Sequence, residues 1–295
     1  MIIVNVRGGL GNQLFQYACA KALSVSTGQS LRIHLAKQAF LNSPRDFMLC
    51  NIFNIKIKNS SPKDIVKVLG FSYPSYLLDI FLIKNLFFLR PQNFITEPSF
   101  NLFHHELLGI DNKNIYLIGY WQSYKYFESF YHSFKEELSF KKEFLKKNEK
   151  NIYFDSIVLS NSVSIHFRRG DYISKESANK FHGPCSPTYY DSAIKFIIQK
   201  IKKPHFFIFS DDIEWAKAQA YPSYLNITFV DNKQDYVDFW LMSLCKNNIL
   251  ANSTFSWWAA WLNKNKSKIV IAPKKWFADP NILTPDLIPK NWFRI

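Results

Sequence analysis

Between residues 162 and 272, short apolar runs alternate with segments of helical periodicity, and this alternation restricts the fold more than any other feature of the chain. The runs 162–167, 206–210, 227–230, 249–251 and 269–272 have strand length, and the segments 187–202, 213–220, 234–246 and 256–263 carry apolar residues at helical spacing. A strand that is apolar throughout, rather than at every second residue, has to be covered on both faces. Repeated βα units of this kind predict a mostly parallel, Rossmann-like sheet with helices on either side. Ligands of such sheets sit at the carboxyl ends of the strands, so chemistry is expected in the loops after Phe167, Ser210 and Ala251.

The theme also opens the chain, with a strand at 2–6, a Gly-rich turn at 7–12 and a helix at 13–26. Residues 31–150 interrupt short apolar runs with prolines. There the sequence predicts a strand at 114–120, a helix at 124–134 and a Lys/Glu-rich exposed helix over 135–150 that ends in a connector. The expectation is an α/β protein with a boundary near residue 150, dividing it into domains 1–150 and 151–295.

Composition removes several classes. Hydrophobic residues at 47%, with 28 Phe, 15 Tyr and 8 Trp, exclude a disordered or low-complexity chain. The charge is strongly basic, 37 Lys plus Arg against 23 Asp plus Glu for a net +14, yet the lysines are scattered and no nucleic-acid-binding motif is present. No nucleic-acid partner is expected. A solvated basic surface or attraction to an anionic membrane face accounts for the charge. The apolar stretch 73–89 is broken by Asp79, Lys84 and Asn85 and falls short of the ~20 residues a span requires, which leaves packed core or peripheral membrane contact. The four cysteines form no CxxC pair, and the first residues carry no leader pattern, so a cytoplasmic protein, peripheral at most to the inner membrane face, is expected.

Four segments could carry chemistry. In residues 165–172 (IHFRRGDY), period-two geometry puts His166 and Arg168 on one side of a strand end. Arg168 has the planar fork suited to phosphate oxygens, while Arg169 and Asp171 read as a pair holding the loop, with Asp171 the nearest carboxylate for a general base. Residues 206–212 (FFIFSDD) end an apolar strand in Asp211 and Asp212, which suit a ribose, a base or a helix cap. Residues 249–262 run a strand into Asn252, Ser253, Thr254 and Ser256 and then a Trp-rich helix. That helix start offers N–H groups and hydroxyls to a phosphate, and Trp257, Trp258 and Trp261 read as core. Finally, residues 7–18 (RGGLGNQLFQYA) place Gly9 and Gly11 for close backbone approach, with Asn12 and Gln13 at the helix start; Leu14 stands where a dinucleotide fingerprint has its third Gly. No Asp-X-Asp triplet or metal-ligand spacing occurs, so no metal is expected.

Together, the segments GGLGNQLFQYA, HFRRGDY, FSDD and NSTFSWWAAWL, in this order, resemble the α-1,2-fucosyltransferases of glycosyltransferase family 11. The resemblance implies a GT-B fold of two Rossmann-like domains facing across a cleft, with GDP-L-fucose held by the C-terminal one and a galactose-terminated glycan acceptor by the N-terminal one. It further implies inverting, metal-independent transfer to the 2-hydroxyl, with no cofactor besides the donor. On this resemblance His166, Asp211 and Asp212 hold the guanosine part, and Asn12 lies near the reacting phosphate or the acceptor. Arg168 with Asn252, Ser253, Thr254 and Ser256 would stabilise the departing diphosphate. Two alternatives remain open at this point: a GDP-sugar transferase acting at another position or on a protein hydroxyl, and a non-catalytic basic binding module.

Overall fold

In a computed structural model, which describes residues 1–35, 46–70, 92–99, 102–110, 113–174 and 176–295, the apolar runs form two wholly parallel sheets. The first contains β1 (Ile2–Asn5), β2 (Leu31–His34), β3 (Lys58–Asn59), β4 (Phe94–Thr96) and β5 (Ile115–Ile118) in the order β3-β2-β1-β5-β4. The second contains β6 (Ser162–Phe167), β7 (His205–Ser210), β8 (Asn226–Phe229), β9 (Asn247–Ile249), β10 (Val270–Ala272) and β11 (Phe293–Arg294), ordered β11-β10-β9-β6-β7-β8. This second order is the 3-2-1-4-5-6 pattern of the doubly wound fold, with its reversal between β6 and β9. Every residue of β1 and β6 is buried, as strands covered on both faces must be.

The chain divides into two compact units, Met1–Lys141 with Pro285–Leu287, and Lys142–Thr284 with Ile288–Ile295. The division thus falls at Lys141, ahead of residue 150, and three residues near the carboxyl terminus belong to the first unit. Helix Lys142–Asn148 accounts for the difference: its Phe144 packs edge-on against Tyr236 and Trp240 of the second unit, at ring separations of 6.0 and 6.1 Å.

The first helix, Leu10–Thr27, begins three residues before the expected start. Gly9 serves as its N-cap, Gln13 N–H donating to Gly9 O at 3.0 Å, and Gly28 closes it in the left-handed region at φ 66°. The helix expected at 124–134 is broken into short turns, Tyr124–Tyr126, Glu128–Phe130 and Tyr131–Phe134. Tyr124, Tyr126 and Phe127 are all buried, which one face of a regular helix does not permit. Of the helix expected over 135–150, only Lys142–Asn148 is an α-helix. The apolar stretch 73–89 lies outside the described residues. Among those described, no helix is long and apolar enough to cross a membrane.

The core of the second unit joins Val163, Ile165 and Phe167 of β6 to Phe206 and Ile208 of β7 and to Tyr190, Ala193, Ile194 and Ile197 of helix Pro187–Lys200. Ser186 caps that helix and Pro187 occupies its first turn, as the sequence pattern requires. On the other side of the sheet, Trp257 and Trp258 are wholly buried, and Trp257 stacks on Trp261 at 5.2 Å. Trp257 and Trp258 are core, as expected from the sequence, and Trp261 is half-buried.

Candidate active site

At the carboxyl end of β6, alternation sends Ile165 and Phe167 into the core and turns His166 the other way, its ring 5.7 Å from Phe255. His166 is 5% exposed, and its Nδ1 has no hydrogen-bond partner among the described residues. Burial pulls its pKa down to about 4, with the Arg168 cation acting in the same direction and Asp211 opposing it. The imidazole is therefore neutral at pH 7, with Nδ1 buried away from water.

Arg168 and Arg169 are held by the two carboxylates that end β7. Asp211 Oδ2 accepts from Arg168 Nη1 at 3.0 Å, and its Oδ1 accepts the backbone N–H of Arg169 at 2.8 Å. Gly170 is required here, because a Cβ would come within 2.9 Å of Asp211 Oδ2. Arg168 lies 5.7 Å from the Tyr172 ring centre, and Tyr172 Oη donates to Asn252 O at 3.0 Å. Arg169 takes the opposite direction, pairing through Nε with Asp212 at 3.4 Å and lying over the Trp215 ring at 3.8 Å. Asp212 also caps helix Ile213–Lys217 by accepting Trp215 N–H at 3.2 Å.

Asp211 and Asp212 thus hold the arginine loop and a helix start, while their side chains stay 24% and 41% exposed. Arg169 pairs with Asp212; Asp171 lies in helix Gly170–Ser174, and its side chain is outside the described residues.

The segment after β9 also divides its roles. Asn252 Nδ2 donates to the carbonyls of His182, Gly183 and Trp276 at 3.2, 2.8 and 3.0 Å, and its Oδ1 accepts from Cys185 Sγ at 3.4 Å. Ser256 Oγ turns back to Ser253 O at 3.2 Å. Both side chains are buried and tie the surrounding loops together. Ser253 caps helix Thr254–Leu262 by accepting Phe255 N–H at 3.3 Å, and Thr254 begins it. What this segment brings to the carboxyl edge is a helix start, with its positive dipole end beside β6.

One half-buried acid of the second unit is not marked by any sequence motif. Asp238, in the helix Asp235–Leu244 that follows β8, accepts from Asn232 Nδ2 at 2.6 Å. Burial, joined by Asp235 and Asp231, pushes its pKa up to about 7 against that hydrogen bond.

The first unit presents its own carboxyl edge. Gly8, at φ 81°, brings the backbone so close to the next helix that a Cβ would meet Asn12 Nδ2 at 2.8 Å. Asn12 Oδ1 accepts from Gln122 Nε2 at 3.0 Å. Gln13, beside it at the helix start, donates to Gly8 O and Asp46 O at 3.0 and 2.9 Å and accepts Met48 N–H at 3.1 Å. Gly9 and Gly11 lie at the helix start, with Gly11 buried. Three further residues build this edge without having been read from the sequence. Gln16, on the Asn12 face of the helix, accepts Arg7 N–H at 2.9 Å and donates to Gly119 O at 3.1 Å. Glu97, just after β4, accepts the N–H groups of Tyr120 and Trp121 at 2.8 and 3.1 Å, and Gln122 anchors Asn12. Among the described residues, no group of three or more His, Cys, Asp or Glu is placed to hold a metal ion.

Two compact units, each built on a wholly parallel sheet, have the GT-B fold. The chain belongs to glycosyl transferase family 11, whose family model matches residues 83–295. It is 33% identical over 300 residues to an alpha-1,2-colitosyltransferase of Escherichia coli, covering 100% of this chain and 99% of the relative. It is 36% identical over 288 residues to the Escherichia coli O-antigen biosynthesis glycosyltransferase WbnK, covering 93% and 94%. Among solved structures it shares its fold with the fucosyltransferase NodZ from Bradyrhizobium, with a TM-score of 0.51 over 88% of this chain and 93% of that one at 13% identity.

Proposed function

We propose that this glycosyltransferase moves L-fucose from GDP-β-L-fucose to the 2-hydroxyl of a terminal galactose, with inversion and without a metal ion. The observation that carries the reading is the pairing of Arg168 with Asp211 beside the start of helix Thr254–Leu262. Cleavage of the sugar–phosphate bond builds negative charge on the β-phosphate. A guanidinium fixed in direction by a carboxylate, together with a helix N-terminus, stabilises that charge without reorganising as it develops. His166, neutral and carrying a buried unpaired nitrogen, suits the heteroaromatic or ribose part of the donor. The second unit is thus read as the donor side. The first unit, with Asn12 and Gln122, is read as the acceptor side, where amides suit sugar hydroxyls. No side chain is assigned as general base; Asp171 stays the nearest candidate by sequence.

A second reading, transfer of colitose in place of fucose, is favoured by the full-length similarity to the colitosyltransferase. Both are tested by GDP release in EDTA with GDP-fucose or GDP-colitose and a terminal galactoside, followed by linkage analysis of the product. Release that needs GDP-fucose and a galactoside, with a 1,2-linked product, supports the first reading. Release with GDP-colitose alone supports the second. Release dependent on another acceptor position overturns the linkage.

A further inference from the structure

The amino-terminal edge of the second sheet lies at the far end of its strands from the arginines. Register pairs Ser162 with His205, His205 with Asn226, Val163 with Asn247, and Asn248 with Val270. The residues entering β10, β9, β6, β7 and β8 therefore form one row, about 20 Å long at the usual strand spacing. Hydrogen bonds tie its turns together. Asn161 Nδ2 donates to Lys202 O at 2.9 Å, Lys246 N–H to Ser162 Oγ at 3.0 Å, and Asn265 Nδ2 to Lys246 O at 2.8 Å.

This row holds Lys202, Lys203, Lys246, Lys264 and Lys266, while the segments 159–161, 201–205, 221–226, 245–246 and 263–268 contain no Asp, Glu or Arg. Four of these lysines are exposed and Lys246 is half-buried; none forms an ion pair with a described residue. Compensation of helix ends does not explain them. That task falls to Lys268, whose Nζ donates to Ala260 O, Trp261 O and Asn263 O at 2.7, 3.3 and 2.8 Å and closes helix Thr254–Leu262. Two large apolar side chains project from the same row, Leu159 at 82% and Tyr224 at 73% exposure.

Unopposed amino groups flanking uncovered aliphatic and aromatic side chains fit a surface with negative charge at its face and hydrocarbon just beneath. Polynucleotide recognition favours the arginine fork, which this row lacks. We propose that this edge docks the protein on an anionic phospholipid bilayer, with the lysines at the headgroups and Leu159 and Tyr224 entering the interface. Each lysine held near such a surface raises partitioning roughly fivefold, and salt screens the effect.

Co-sedimentation of the full chain with phosphatidylcholine vesicles, with and without phosphatidylserine, tests the proposal. Binding is expected only to the phosphatidylserine vesicles, weakening with salt and falling at least tenfold in the K202E/K203E/K264E/K266E variant. The L159S/Y224S variant is expected to lose the salt-resistant remainder. All six positions are exposed, so both variants should keep the wild-type melting temperature; if the charge reversals lower it, the same four positions as Gln provide the comparison. Failure of the wild type to bind these vesicles, undiminished binding by the lysine variants, or tighter binding to a polynucleotide than to vesicles would each overturn the proposal. None of these readouts depends on which sugar is transferred.

Discussion

The two sheets end in different chemistry. Past β6 and β7 stand two arginines, two aspartates and a buried histidine, with the charges locked in pairs at 3.0 and 3.4 Å. Past β1 and β5 the side chains are mainly amides: Asn12 bonded to Gln122, Gln13 to the Asp46–Met48 backbone, and Gln16 bridging Arg7 and Gly119. The single carboxylate in that set, Glu97, is bound to two backbone N–H groups. Similar parallel scaffolds have thus been furnished once with paired arginines and aspartates and once mainly with amides, beside Glu97 and the Arg7 guanidinium 5.2 Å from the Tyr120 ring centre. Fixed charge suits a diphosphate whose charge grows during reaction; amides suit a sugar, whose hydroxyls both give and accept hydrogen bonds.

The largest effect is expected from removing the charged centre. Arg168→Ala should lower kcat/KM by about 10²–10³, as loss of a fixed donor to a developing charge does elsewhere. Its melting curve should stay near wild type, since Arg168 and Asp211 both retain access to water. Steady-state kinetics beside thermal melting checks this; an active Arg168→Ala would place the donor elsewhere.

Next comes a pH effect of two opposite signs. Unfolded, His166 takes its proton near 6.5, whereas the folded protein keeps it neutral down to about 4. Between those values the unfolded chain binds more protons, so this group costs the native state roughly 3 kcal/mol as pH falls from 6.5 towards 4. Asp238 works the other way. Its folded pKa of about 7 lies above the ordinary 3.8 of the unfolded chain, so its contribution is full below pH 4 and is lost as pH rises towards 7. Melting temperatures from pH 4 to 7 should rise less with pH in His166→Gln than in wild type, and should rise more in Asp238→Asn. Parallel profiles for all three proteins would refute the assignment.

On the amide-rich side, Gln16→Leu strands the half-buried Arg7 N–H and the buried Gly119 O and should cost about 2 kcal/mol of stability. In the protein that still folds, KM for the acceptor should rise while that for the donor does not. A rise in donor KM instead would erase the distinction between the two edges. The smallest effect belongs to Asp212→Ala, which removes a helix cap and one partner of Arg169 and should cost about 1 kcal/mol in denaturant titration.

How far the site could be read before the structure differs between the same two regions. Strand β6 and its arginines were legible because an unbroken apolar run stops at a polar motif, and alternation alone separates His166 from Ile165 and Phe167. The roles of Asn252, Ser256 and Gln13 were not. Small polar residues at a strand end serve equally well to bind a ligand or to tie loops, and only their partners decide. The first unit was harder still: β3 has two residues and β4 three, too few to show a period. The Asn12–Gln122 contact joins positions 110 residues apart, and no local pattern announces it. Asp211 and Asp212 were found as a pair, but their function as holders of arginines follows only from the packing of β7 beside β6.

The contrast between the edges reduces to one measurement, GDP affinity by titration calorimetry in wild type, Arg168→Ala and Gln122→Ala. Gln122→Ala should bind GDP as wild type does, while Arg168→Ala should bind at least tenfold more weakly. Equal affinity in all three, or a loss confined to Gln122→Ala, would contradict a donor site built on the charged edge of the second sheet.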